Sequence, residues 1–441
     1  MTIEPRTLDT RAETDLAEAY YRDRDALPGD AAVAELRKSA FDAFRKSGLP
    51  HRRVEEWKYS DLRARLKSVP AFAARRSDDD AKAAVAALDN VYGSAERYRL
   101  VIVDGHFHAG LSDVAALAEA GVSVRALAEA LAEEGEGLMQ LPEIATGDAA
   151  TGLNAIFCAD GLVLSLPEGA SLDKPVEIVH ALSATAASTS ERVIVAAAKG
   201  AKATVLETFV GGAEGSFSNT LTDIRAADAA EVTVARLQAE AAGTTHVGTA
   251  VVTLGAQTQV KLIGAGIGSG FARHQSFVAF TGEGSRADLL GITMVRAGQH
   301  VDQTLVVDHA VPHCDSRELF KTVVGEGAKG IFQGKIIVRP HAQKTDGQMM
   351  TQSLLLSDDA EMSLKPELEI FADDVQCAHG ATSGQIDEDL LFYLRSRGIP
   401  EADARTLLVL AFLSEAVEEI GEEIIVEAFE ERIRAWLDAG A

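Results

Sequence analysis

The chain has 441 residues, 47% of them hydrophobic, and its 42 basic against 67 acidic residues leave a net charge of -25. That is ample material for a folded core, and the acidic balance excludes general affinity for nucleic acid or an anionic membrane, polyanions that must be met by Lys and Arg. Three cysteines, Cys158, Cys314 and Cys377, are too few and too far apart for a disulfide framework and point to a reducing compartment. The start, MTIEPRTLDT, has neither a basic n-region nor an apolar h-region, and the longest aliphatic run, Leu407 to Leu413, is far below the roughly 20 residues of a membrane helix. A cytoplasmic protein is expected.

Residues 1–150 read as a mainly helical domain. From Ala31 to Ser47 the residues Val33, Leu36, Ala40 and Phe44 mark one helix face, which Gly48 and Pro50 terminate. The segment RVEEWKYSDL, 53–62, sets Trp57 and Tyr59 among charges, as an amphipathic anchor against the rest of the chain. Residues 71–90, rich in Ala and Asp, read as a mobile connector. A strand is expected over Leu100 to Val103, and a helix over Ser123 to Glu134 with Ser123 as its N-cap.

From 151 to 378 short runs of Val, Thr, Leu and Phe alternate with turn signals. GAKA (200–203), ADAAE (227–231), GAQTQ (255–259) and GEGSR (282–286) recur at a spacing of roughly 28 residues. Each precedes a strand-like run: Val205 to Val210, Val232 to Leu237, Val260 to Gly264 and Leu289 to Val295. Strands without intervening helices exclude a doubly wound sheet and a (β/α) barrel. No strict hexapeptide period is present, so a right-handed parallel β-helix is expected, with an all-β sandwich as the structural alternative. Its two open ends need covering, and the helical flanks are natural caps.

The tail, 379–441, reads as a helical domain. DEDLLFYLRSRG starts at Asp387 and ends at Gly398, Pro400 opens a second helix, and Ile424, Ile425, Ala428, Phe429, Ile433 and Trp436 mark a face of the third. This much apolar surface calls for docking, onto the solenoid's caps or onto a partner.

Most motifs read as structure. GAGIGSG (264–270) and GEGAKG (325–330) lack the following helix a dinucleotide site needs and read as solenoid turns, and no phosphate-binding G-x-x-x-x-G-K-[ST] loop exists. Any nucleotide hydrolysis must come from a partner. His309, His313 and Cys314 form a candidate metal set, although Pro312 forbids a helix joining them. His106 and His108 are too few for a site, and Cys158 reads as a buried small hydrophobe. The pairs Asp358-Asp359 and Asp373-Asp374 suggest a β-helix polysaccharide-acting enzyme, but adjacent strand residues face opposite ways. Cys377 and His379 are different. On an extended segment they project to the same side, offering a thiolate and an imidazole suited to iron, yet two ligands do not complete a site.

The strings KTDGQM, KPELEIFADDVQCAHGAT and FYLRSRGI within 344–399, together with EEWKYSDL at 55–62, resemble the SufD family, the D subunits of the bacterial and plastid Suf iron-sulfur cluster assembly complex. The family's paralogous B subunit has a Glu-His-Glu arrangement where this chain has Cys377, His379 and Gly380, and a catalytic cysteine close to Thr351. The resemblance implies a non-catalytic scaffold subunit: a right-handed β-helix between helical end domains, pairing with SufB through the solenoid and binding the ATPase SufC through the C-terminal helices. It implies that His379, with Cys377 as second candidate, ligates iron or a nascent, transient cluster shared with SufB. Leu390, Tyr393 and Arg397 would lie in or near the SufC-binding surface. A reduced flavin is associated with the family's complex, with no residue of this chain assigned to it, and the isolated chain is a candidate homodimer.

Overall fold

A computed structural model describes residues 10–296 and 298–439. The N-terminal third carries α1 (Arg11–Asp23), α2 (Ala31–Ser47), α3 (Leu62–Arg65), α4 (Asp78–Ala86), β1 (Tyr98–Val103), β2 (His106–Phe107), α5 (Val114–Glu119), β3 (Ser123–Ala126), α6 (Leu127–Glu134) and α7 (Ala149–Phe157). The strands of the central part are β4 (Asp160–Leu166), β5 (Val176–Leu182), β6 (Ser188–Ala197), β7 (Lys202–Gly211), β8 (Phe217–Ala226), β9 (Glu231–Glu240), β10 (Thr245–Leu254) and β11 (Gln259–Gly266). They continue as β12 (Phe271–Phe280), β13 (Arg286–Val295), β14 (His300–His309), β15 (Asp315–Val324), β16 (Lys329–Val338), β17 (Asp346–Leu355), β18 (Glu361–Ile370) and β19 (Gln376–Gln385). The tail is α8 (Glu388–Ser396), α9 (Glu401–Glu418) and α10 (Glu423–Asp438).

From β4 onward successive strands alternate between two parallel sheets, ordered β19-β17-β15-β13-β11-β9-β7-β5 and β18-β16-β14-β12-β10-β8-β6-β4. This is the expected parallel β-helix, with one strand per sheet in each coil. Its repeat is visible in the register: Val205 lies beside Val234, Val234 beside Leu262, and Leu262 beside Leu289. The roughly 28-residue period is therefore one full coil, and the four runs that carried it are β7, β9, β11 and β13 of a single sheet. Inward columns of Val, Ile, Leu and Phe from both sheets fill one continuous core.

The first 150 residues are not purely helical. β1 extends the ten-stranded sheet in parallel beside β5, and the antiparallel strands β2 and β3 finish the two sheets there. Phe107, Leu117 and Val122 join the interior core and close that end. Residues 71–90 are not a loose connector: Ser77 accepts from the Asp80 amide to cap α4, and Ala81 packs on the sheet. Ser123 caps no helix but starts β3, and α6 begins at Leu127, where Asp160 accepts from the Ala128 amide.

Trp57 anchors the N-terminal region as expected. It is buried in a 3-10 turn, Glu55–Trp57, with the Arg273 guanidinium 4.0 Å above its ring. Arg273 is itself held by Asp302 at 2.6 Å and donates to the Glu56 carbonyl at 3.0 Å. Gln333 donates to the same carbonyl, and Glu55 pairs with Lys365 at 2.6 Å. The turn thus clasps β12, β14, β16 and β18 from outside.

The described residues of the tail cap neither end. α9 and α10 lie along the outer face of the ten-stranded sheet, where Leu413, Val417, Ile425 and Phe429 share a core with Ile263, Leu290 and Ile292. Lys321, buried on that face, pairs with Glu415, and Lys261 donates to the carbonyls of Glu419 and Ile420 at the end of α9. Asp387 caps α8 through the amides of Asp389 and Leu390, and Gly398 ends it at φ 87°. Pro400 sits at the N-cap of α9, one residue before its first turn. No helix among the described residues is long and apolar enough to cross a membrane.

Candidate functional site at the open end

With the first coil covered and the tail on the flank, the last coil is left bare by the described residues. β18 and β19 are the final strands of their sheets, so one edge of each carries unpaired backbone N–H and C=O groups. The turn between them exposes Phe371 (60%) beside Ile370, and Met350 is exposed on the neighbouring β17. Lysines on the adjacent strand answer the acids of β18: Lys329 pairs with Glu361 and Lys335 with Glu369. The outward residues of β19, Gln376, Ala378, Gly380, Thr382 and Gly384, carry no charge.

Cys377 and His379 both lie in β19, so the helical tail begins only after it, at Glu388. The structure brings them to one side: in register with β17 they continue the inward columns Gly347–Cys377 and Met349–His379. Cys377 is half-buried and packs against the solenoid core, and that burial pushes its thiol pKa up. His379 is exposed at the mouth. Thr351, also inward on β17, is fully buried beside Ala381, and its hydroxyl has no hydrogen-bond partner among the described residues.

Sequence reading missed Glu318. It stands in the inward column that ends at His379, two strands deeper. It is 2% exposed and neither carboxylate oxygen makes a hydrogen bond of ordinary geometry. Burial pushes its carboxyl up to about 8, against a smaller opposing pull from the Ser316 hydroxyl. The coil period could have found it, because Glu318 takes the place of Leu289 in the next coil.

The other metal candidates disperse. His309 is buried inside, stacked on Phe280 with centroids 4.4 Å apart and its Nε2 3.0 Å from Ser316 Oγ, and burial lowers its pKa to about 4. Cys314 is buried, while His313 is an exposed turn residue at φ 61°. No three His, Cys, Asp or Glu side chains gather into a metal site among the described residues. His108 is occupied by Asp78 at 2.7 Å, and His106 meets the Ala73 carbonyl. Cys158 is a buried thiol, pushed up to about 11 by desolvation. Asp358-Asp359 and Asp373-Asp374 sit on turns, with Asp359 accepting from Ser357 and Asp374 paired to Lys344. The Gly-rich strings 264–270 and 325–330 are strand ends and turns.

On α8, Leu390 (52%), Phe392 (71%) and Tyr393 (53%) are exposed together, and Arg397 lies over the Tyr393 ring at 4.8 Å. The three residues expected at a partner surface, Leu390, Tyr393 and Arg397, therefore form one patch.

Two family models match the chain. "SUF system FeS cluster assembly, SufBD core domain" covers residues 180–412, and "SufBD protein N-terminal region" covers 10–178. An iron-sulfur cluster assembly SufBD family protein of Synechocystis is 31% identical over 409 residues, 89% of this chain and 88% of that one. The iron-sulfur cluster assembly protein SufD of Escherichia coli is 31% identical over 405 residues, 90% and 91% of the two chains. The protein of the same name in Bacillus subtilis is 24% identical over 273 residues, 61% and 62%.

Proposed function

The chain belongs to the SufBD family of iron-sulfur cluster assembly proteins, and on that premise we propose that it is a scaffold subunit whose bare solenoid end docks a SufB-type paralogue. The observation that carries this reading is the open last coil, where two unpaired sheet edges surround Cys377 and His379 on one inward face. Edge strands of this length are a template for pairing with another chain. Docking there would leave the imidazole and thiol facing the partner, and the partner would supply the ligands this chain lacks. His379 is the principal ligand to the incoming iron or nascent cluster, with Cys377 second. The cluster is cargo, assembled between the two chains and passed on.

The exposed patch of Leu390, Tyr393 and Arg397 on α8 receives a SufC-type ATPase in this reading. The tail is well placed to couple the two surfaces, since α9 is bound through Lys321 to β15, the neighbour of β17. The chain itself contributes ligands and a docking surface and carries out no turnover. A flavin in such a complex has no assigned residue here.

Co-expression with the B-type and ATPase partners and anaerobic isolation tests the proposal. A His379→Ala complex should assemble in wild-type stoichiometry and carry markedly less iron and sulfide, and Cys377→Ser should lower both by less. A His379→Ala complex with a full complement of cluster removes the central role of this residue.

A further inference from the structure

The open end has depth as well as width. The columns Ser316–Gly347–Cys377 and Glu318–Met349–His379 run side by side across β15, β17 and β19. Gly347 contributes no side chain to the first. A Cβ there would lie 3.5 Å from Ser316 Oγ, 3.6 Å from Cys377 Sγ and 3.5 Å from Ile336 Cδ1. A gap about one methyl group wide therefore separates the thiol from the hydroxyl.

Glu318 stands beside Ser316 on the same inward face, buried and, among the described residues, with neither oxygen in a hydrogen bond of ordinary geometry. A carboxyl in that condition is costly, and a buried polar group without a partner calls for an ion, a water or a functional role. Ser316 is held in place by His309 on its other side.

We infer that the gap over Gly347 is an inner cation site, where a divalent transition metal is held by the Cys377 thiolate and the Glu318 carboxylate with the Ser316 hydroxyl as third donor. A thiolate with a carboxylate suits ions of intermediate softness, iron(II) and cobalt(II) among them. The thiol proton leaves to solvent as the metal binds, and no electron moves. The inference rests on the reading that the open end receives iron, and it deepens that reading: the metal first seats inside this chain, one coil below His379. Two strong ligands and a hydroxyl are fewer than three His, Cys, Asp or Glu groups, so the pattern differs from a preformed metal cluster.

Gly347 supplies the test, because an Ala methyl would meet only ordinary van der Waals distances and the residue has no positive φ. Gly347→Ala should therefore fold as the wild type while filling the gap. The purified full-length chain is titrated anoxically with cobalt(II), followed by thiolate-to-cobalt charge-transfer absorption and by the thermal midpoint. The wild type should show the band and Cys377→Ser should lose it. Gly347→Ala and Glu318→Gln should each weaken binding by at least about tenfold at an unchanged midpoint. The inner site is overturned if the wild-type chain gives no band, or if Gly347→Ala and Glu318→Gln bind cobalt as the wild type does. Either result leaves the reading of the open end as a cluster-receiving interface standing, since that is tested separately by the cluster content of the His379→Ala complex.

Discussion

His180 sits in the solenoid interior between Glu191 at 2.5 Å and Glu207 at 3.2 Å, stacked on Phe209. Burial alone would lower its pKa, but the two carboxylates outweigh burial and raise it to about 9 from 6.5. A folded-state value above the unfolded one means that the stabilisation is complete below pH 6.5 and is lost as the pH climbs toward 9. The thermal midpoint of the chain should fall across that window. His180→Gln should be less stable at pH 6 and show a shallower fall, readable by differential scanning calorimetry. Trp57 gives a second residue-scale prediction: Trp57→Ala removes the ring beneath Arg273 and should cost about 3–5 kcal/mol, measured by urea unfolding. Both Trp57 and the Cys377–His379 pair were legible in sequence, because an aromatic amid charges and an i, i+2 pair on a strand each have one simple geometric meaning. Glu318 was not, since its burial depends on which coil lies above and below it. His309 and Cys314 misled for the converse reason, being neighbours in sequence that the corner of a coil turns into the core while His313 turns out.

At the scale of elements, β19 has one used and one free side. Gln376 donates its amide to the Thr345 carbonyl, so the backbone amides of the even-numbered residues bond to β17 and those of the odd-numbered ones, Ala381 included, point to the free edge, while their side chains stay inward. Ala381→Pro removes an outward N–H and no ladder bond, so the isolated chain should keep its thermal midpoint to within a few degrees. Capture of the B-type partner in a pull-down should be lost. On α8, Leu390→Ala with Tyr393→Ala should change stability by no more than about 0.5 kcal/mol, since both side chains are surface-exposed, while abolishing co-purification of the ATPase. The coil period and the three tail helices were readable because turn residues and 3.6-residue spacing recur. The helix over 78–86 was not, for it has little apolar stripe and is fixed by the Ser77 cap and by a sheet far away in sequence. Ser123 failed as an N-cap because pairing with β4 claims it for a strand first.

Over the whole molecule the two ends of the stack are unlike. The antiparallel strands and α5 seal the first, a clasp through Trp57 secures the flank, and the helical tail occupies one outer face. The expectation that the tail would be a lid came from its apolar content, which specifies that it must be covered and says nothing about where. Among the described residues only the last coil stays free, and the even-numbered amides of β18 and the odd-numbered amides of β19 should exchange fastest among the strands of the isolated chain. They should become protected when the partner binds, in hydrogen–deuterium exchange by mass spectrometry.

That asymmetry also fixes a count. A stack with two bare ends could add units without limit, as fibres do, whereas one sealed at its start has a valence of one for end-on contact. Once a second solenoid has met the last coil, only the two-residue and four-residue edges of β2 and β3 remain at the far end, and growth along the axis terminates at a pair. The small strands β2 and β3 thus make a discrete particle out of an architecture that would otherwise polymerise.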